Sequence, residues 1–353
     1  MSEYKFLRVT GPVSVERHDG DLPIFSAQIT LLLGLTGVGK SNFLECLHGT
    51  KTLEISGDSL ESVTQEVICY RLVNVTLGRL RQAIYILDCP GFSDNQISEM
   101  RVVKMLQAWC EAQAGSPSFD SILYFHRITD KRLSGSQRRV LNLINTLIGN
   151  SGIYSCVGVV TTMWDTLWND VQIEGANERF RELKEGHLKK SFGPTARKAF
   201  QFQNDQRSAL EILDGMMQLR RDKFGASLIF GSMRDPPIKS CSHLTAEKRF
   251  RSAPFAVMLY GLLVERIEGV KRRLGEIEKE MTSLQDELGE TSIIDDETMR
   301  KRELLRCLEV SQRENEEMLK GLEVERVLFG GPPVETKSVK EKLIGYFKSK
   351  KAT

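Results

Sequence analysis

The chain has almost no excess charge of either sign: 49 Lys and Arg stand against 47 Asp and Glu, a formal net charge of +2 over 353 residues. Bulk nucleic-acid binding shows as a strong basic excess, so no nucleic-acid partner is expected. Cysteine pairs are lacking too. Seven cysteines (Cys46, Cys69, Cys89, Cys110, Cys156, Cys241 and Cys307) are scattered singly. An odd number without close spacing argues against a disulfide framework and against a zinc site. A reducing compartment, most simply the cytoplasm, is expected. No basic start followed by an apolar run opens the chain, so no signal peptide is expected. The most apolar stretch, Ile29–Leu35, is far too short to span a bilayer.

What is present is enough apolar material for a real core, 41% hydrophobic residues with 27% charged. Residues 1–26, with Gly11, Pro12, Gly20 and Pro23, read as an irregular lead-in, with or without a short strand. From residue 27 short apolar runs alternate with helical spacing. Strands are expected at Ala27–Leu33, Val67–Leu77, Arg81–Asp88, Ser121–Phe125 and Cys156–Thr161. Helices are expected at Asn42–His48, Ser98–Ala114 and Val140–Ile148. Such alternation predicts an α/β three-layer sandwich with a mainly parallel sheet, whose ligands bind beyond the carboxyl ends of the strands. Leu33, Asp88, Phe125 and Thr161 all fall at such ends.

Near residue 255 the pattern changes. Leu274, Ile277, Met281, Leu284 and Leu288 step by threes and fours among charged residues. After a break at Gly289–Asp296 a second stretch follows through Leu304, Leu308, Ser311, Asn315, Met318 and Leu322. Two antiparallel helices, a hairpin or short coiled coil, are the economical reading. The expected organisation is therefore a lead-in at 1–26, a nucleotide-binding domain at 27–222 and a connecting segment at 223–254. The helical hairpin at 255–326 and a flexible basic tail at 327–353 complete it.

Gly34-Leu35-Thr36-Gly37-Val38-Gly39-Lys40-Ser41 matches G-x-x-x-x-G-K-[ST], the phosphate-binding P-loop. Roughly one chain in fifty of this length and composition would carry the pattern by chance, before its strand–loop–helix setting is counted. The glycines let successive backbone N–H groups converge on phosphate oxygens. Lys40 brings an ammonium to the same oxygens, Ser41 offers a hydroxyl to Mg²⁺, and the helix opening at Asn42 adds its dipole. Gly34, Thr36, Gly37, Val38, Gly39, Lys40, Ser41 and Asn42 are the candidate phosphate-side contacts.

The next element is Asp88-Cys89-Pro90-Gly91-Phe92. An acid at that strand end can accept hydrogen bonds from magnesium-bound water, and Gly91 can offer its N–H to a γ-phosphate. The loop after it would then differ between triphosphate and diphosphate states. The alternative is an ordinary Pro-Gly turn. Thr64, with Ser59 and Thr52 in the same stretch, can bring a hydroxyl to the metal. Thr162-Met163-Trp164-Asp165 stands where guanine-binding proteins carry [NT]-K-x-D. A carboxylate at Asp165 can accept from both N–H donors of guanine, which adenine lacks, although it can also serve as a helix N-cap. Met163 stands in place of the usual lysine, and its methylenes can still cover the base. These elements together point to GTP and GDP with Mg²⁺.

The ordered set GLTGVGKS, SVT, DCPGF and TTMWD resembles the septin-like branch of P-loop GTPases, which includes septins, chloroplast outer-envelope import GTPases and immunity-associated GTPases. YFHRITDKRLSGS (Tyr124–Ser136) followed by VVTTMWD resembles fungal G-domain proteins related to the immunity-associated group. The resemblance covers about residues 28–215. It implies a G domain, favours Thr64 as the mobile metal ligand, and implies a base contact near Ala199–Gln203 and Asn204. It assigns no role to His126–Asp130.

Many small GTPases orient the attacking water with a Gln after D-x-x-G. Here that place is Phe92, so slow hydrolysis assisted by Lys40, Thr64 and Gly91 is expected, with switching or assembly as the function. A scaffold that barely hydrolyses, and a P-loop ATPase, are the other readings. Partners would be a second copy of the chain in a nucleotide-dependent dimer or oligomer, and a helical partner for 255–326. The basic run Lys337–Lys351 is expected to be solvated rather than membrane-bound, and no lipidation pattern supports an anchor.

Overall fold

The computed structural model describes residues 4–23, 27–50, 53, 65–78, 80–94, 96–113, 119–132, 135–148, 157–187, 198–220, 250–253, 255–289 and 296–332. The chain divides into two units, Met1–Phe255 and Ala256–Thr353.

In the first unit seven strands form one sheet in the order β1-β3-β4-β2-β5-β6-β7. They are β1 (Leu7–Arg17), β2 (Ala27–Gly34), β3 (Ile68–Leu77), β4 (Gln82–Asp88), β5 (Ser121–Arg127), β6 (Val157–Thr162) and β7 (Lys198–Gln201). β2, β4, β5, β6 and β7 run parallel, while β3 is antiparallel to both β4 and β1. Every residue of β2 and β6 is buried, which requires cover on both faces of the sheet. That cover makes the unit a three-layer α/β sandwich of the P-loop type. Its helices are α1 (Lys40–His48), α2 (Glu99–Ala112), α3 (Gly135–Ile148), α4 (Asp170–Glu182) and α5 (Gln206–Arg220). A π-helical turn, Leu183–His187, continues α4.

The position of β2 decides where a ligand can sit. The chain leaves β2 toward β3 and β4 on one side, then returns to β5 on the other. β2 is thus the switch point of the sheet, and a crevice opens beyond its carboxyl end, where Gly34 begins the glycine loop.

Two features differ from the sequence expectation. The lead-in contains an 11-residue strand, β1, despite Gly11 and Pro12. An edge position and a register shift between Val9 and Ser14 accommodate them, since neither residue has to serve a central ladder. Its start is fastened by Asp214 of α5, whose Oδ1 accepts from the N–H groups of Phe6 (2.7 Å) and Leu7 (2.8 Å). The second difference is α4. It buries only Ala176, so it carries no apolar stripe from which to predict it. Asn169 caps it by accepting from the Gln172 N–H at 2.8 Å.

In the second unit two 34-residue helices, α6 (Ala256–Gly289) and α7 (Asp296–Phe329), form an antiparallel hairpin. Tyr260 stacks on Phe329, Lys271 pairs with Glu323 and Lys301 with Glu287, three contacts compatible only with opposed directions. The stripe Leu274, Ile277, Met281, Leu284 and Leu288 is the less exposed side of α6, continued upstream by Val270, Ile267, Leu263 and Leu259. On α7 the expected register is wrong at its start, because Leu304 is exposed and Leu305 is the sheltered neighbour. Asn315 bonds back to the Ser311 carbonyl at 2.7 Å, so that polar position is satisfied within its own helix. Among the described residues no helix is long and apolar enough to cross a membrane. The connecting segment 223–254 apart from 250–253, and the tail beyond 332, lie outside the described residues.

Candidate nucleotide-binding site

Three loops leave the carboxyl ends of β2, β4 and β6 and meet at one edge of the sheet. The first is the glycine loop. Gly37 (φ 74°) and Gly39 (φ 90°) take left-handed backbone conformations that other residues resist. Gly39 is the N-cap of α1 and supplies no side-chain bond, so the first N–H groups of the helix are left to face an anion. Lys40 is buried, and its Nζ donates to the Leu35 carbonyl at 3.2 Å, which folds the ammonium back over the loop. Val38, also buried, accepts at its carbonyl from Thr162 Oγ1 at 2.9 Å.

The second loop, Asp88–Phe92, lies directly against the first. Thr36 N–H donates to the Phe92 carbonyl and Phe92 N–H to the Gly34 carbonyl, both at 3.0 Å. A methyl group on Gly91 would meet Thr36 backbone atoms at 2.4–2.5 Å, so glycine is required for this approach. Thr36 Oγ1 also donates to Asp94 Oδ2 at 2.9 Å, while Asp94 Oδ1 receives the N–H groups of Gln96 (2.7 Å) and Ile97 (3.2 Å). Asp94 was not anticipated. Its signal was local, an Asp placed to close a turn ahead of a helix. Phe92 is fully buried, so its side chain serves the core and not the reaction edge.

The structure brings Ser41 and Asp88 together: Ser41 Oγ donates to Asp88 Oδ2 at 3.1 Å. One hydroxyl and one carboxylate are hard oxygen donors suited to Mg²⁺, which usually takes few protein ligands and completes its shell with phosphate oxygens and water. Among the described residues no group of three or more His, Cys, Asp and Glu could hold a metal by itself. Thr64, with Ser59 and Thr52, lies outside the described residues. Cys89, between Asp88 and Pro90, is no nucleophile. Burial pushes its thiol up to about 12 against the pull of Lys40, and Sγ donates to the Leu32 carbonyl at 3.0 Å.

The third loop carries Thr162 and Asp165. Thr162 Oγ1 is buried between the carbonyls of Val38 and His126 (3.4 Å), so it ties the glycine loop to β5 and β6. Met163 has a left-handed φ of 63°. Asp165 is exposed and does not cap α4, a role taken by Asn169, so the N-cap alternative fails. Instead Asp165 Oδ2 accepts from Asn204 Nδ2 at 2.7 Å. Asn204 Oδ1 in turn accepts from Asn42 Nδ2 at 2.6 Å and from Cys46 Sγ at 3.3 Å. Three residues singled out separately, Asn42, Asp165 and Asn204, therefore form one chain of contacts from α1 to the third loop.

No family model and no curated protein matches the chain. Solved structures of similar shape include Toc33 from Arabidopsis thaliana in complex with GDP and Mg²⁺, at 17% identity and a TM-score of 0.44. They also include the same protein with Mg²⁺ and GMPPNP, at 15% identity and a TM-score of 0.41. Each covers 57% of this chain and 87% of that chain.

Proposed function

We propose that the protein binds GTP and GDP with Mg²⁺, hydrolyses GTP slowly, and acts as a nucleotide-controlled switch or assembly module of the septin-like GTPase branch in the cytoplasm. The observation that carries this reading is the convergence of the glycine loop, the Ser41–Asp88 pair and the Asn42–Asn204–Asp165 chain on one sheet edge. In this reading the loop N–H groups, the α1 N-terminus and Lys40 hold the β- and γ-phosphates, and Asp165 accepts from the guanine ring. Asn204 keeps Asp165 in place from the side of α1. Bound Mg²⁺ would neutralise phosphate charge beside Ser41 and Asp88, with Thr64 the proposed additional ligand. Gly91 would offer its N–H to the γ-phosphate, which couples the Asp88–Phe92 loop to the nucleotide state.

Slow turnover follows from Phe92. A side chain committed to the core cannot orient water, so charge neutralisation and positioning are left to Lys40, Thr64 and Gly91. The same observation favours a second reading, a nucleotide-dependent scaffold with negligible hydrolysis. In either case the proposed partners are a second copy of the chain and a helical segment docking on 255–326. Hydrolysis and self-association of the full chain test the proposal together. Turnover on the order of tens per second by the isolated protein would contradict it. Assembly that is identical with GDP and with a non-hydrolysable GTP analogue would remove the switch.

A further inference from the structure

The segment His126–Asp130, to which the family resemblance gives no role, has its main chain held from two opposite sides. Ile128 N–H donates to the Thr162 carbonyl at 3.0 Å. The Ile128 carbonyl accepts from Arg179 Nε of α4 at 2.8 Å. Ile128 itself is buried, and its neighbour Thr129 turns Oγ1 toward Met163 Sδ at 3.8 Å. The far end of the segment is closed by Asp130, which accepts from Gln137 and lies 3.5 Å from Arg127 Nε.

These contacts fall on the two residues that open the third loop of the site. Thr162 presents its carbonyl to Ile128 and its hydroxyl to His126 and Val38. Met163 is kept in a left-handed conformation that strains a non-glycine residue and persists only where its surroundings impose it. Its imposed surroundings include Thr129 at the sulfur and Thr166 Oγ1, which donates to the Met163 carbonyl at 2.8 Å. α4 follows directly from this loop and folds back so that Arg179 reaches Ile128. The neighbouring Phe180 meets Trp164 edge to face.

We propose that Ile128 and Thr129 form the backing of the base-recognition loop, and that Arg179 is a positioning residue that sets guanine specificity through them. Pinned at both its N–H and its carbonyl, Ile128 transmits the position of α4 to Thr162, two residues before the start of the Trp164-Asp165 pair. A loose Ile128 would leave the phosphate contacts in place and misdirect the Asp165 carboxylate. The inference rests on the reading of Asp165 as the guanine acceptor.

The test is the ratio of ADP to GDP dissociation constants, measured with Mg²⁺ on the full chain for wild type, Arg179→Met, Arg179→Lys and Thr129→Val, with melting temperatures alongside. Arg179→Met keeps the aliphatic stem and removes the donor, so the ratio should fall about tenfold through weaker GDP binding, with ADP unchanged. Lysine can donate to the same carbonyl and should restore most of it. Thr129 is exposed, so Thr129→Val should fold normally and lower the ratio about threefold. A wild-type ratio retained in both Arg179→Met and Thr129→Val overturns the proposal, as does equal weakening of both nucleotides. If Arg179→Met does not fold, Thr129→Val decides alone. No GDP preference in the wild type would overturn the Asp165 reading itself, and the positioning role with it.

Discussion

Thr36 and Asp94 are joined by a 2.9 Å hydrogen bond that clamps the loop after β4 onto the glycine loop, beside the paired main-chain bonds of Thr36 and Phe92. The element proposed to sense the γ-phosphate is thus fastened to the element proposed to hold it. Engaging a γ-phosphate through Gly91 would require that fastening to adjust. Thr36→Val removes the hydroxyl and little else. It should favour a non-hydrolysable GTP analogue over GDP by about fivefold, the worth of one hydrogen bond of about 1 kcal/mol. Competition binding checks it, and an unchanged preference would show that the contact is not part of the switch.

Ser41 Oγ and Asp88 Oδ2 lie 3.1 Å apart at the start of α1, a hydroxyl and a carboxylate side by side. Ser41→Ala and Asp88→Asn should each weaken Mg²⁺-dependent nucleotide binding by about 10–100-fold, the usual cost of disturbing a metal shell. Binding measured in excess chelator should change far less. Titrations with and without Mg²⁺ separate the two.

Phe92→Gln would place a glutamine where efficient GTPases carry one, but the backbone aims this side chain into the core. The variant should lose about 3 kcal/mol or more from the emptied aromatic site and the buried amide, and gain no hydrolysis. Denaturant unfolding and single-turnover rates measure the two effects. A faster, equally stable variant would refute the assigned orientation.

Burial pushes the thiols of Cys69, Cys89 and Cys110 up to about 12 from an ordinary value near 9, whereas Cys307 is exposed. Mass-mapped alkylation of the native protein at pH 8 should modify Cys307 while sparing those three. The sign of the linkage also predicts alkaline destabilisation. The folded thiols hold their protons between pH 9 and 12 while the unfolded chain releases them. Their contribution is therefore complete below pH 9 and is lost as pH rises toward 12. Melting temperature against pH tests this.

The parts of the site that could be read from the sequence are those written in adjacent residues. Gly34–Ser41 and Asp88–Phe92 each carry their geometry in a short string, and each lies at a strand end that apolar patterning made visible. β1 was hidden because its pairing with β3 is long-range and its Gly and Pro argue locally against a strand. α4 was hidden because a helix with one buried residue leaves no periodic trace. Arg179 acts across 51 positions, a distance at which a side chain leaves no local signature, and Asn204 was reached only through the family resemblance. On α7 Leu304 and Leu305 stand side by side, and packing sheltered Leu305.

In the proposed function this sheet edge recognises guanine nucleotides, with Asp165 as the reader. Titrating labelled GTP, GDP and ATP with Mg²⁺ against wild type and Asp165→Ala tests it most directly. Wild type should bind both guanine nucleotides well ahead of ATP, and Asp165→Ala should lose most of that preference while still binding phosphates. Equal binding of all three by the wild type, or an Asp165→Ala variant with selectivity intact, would contradict it.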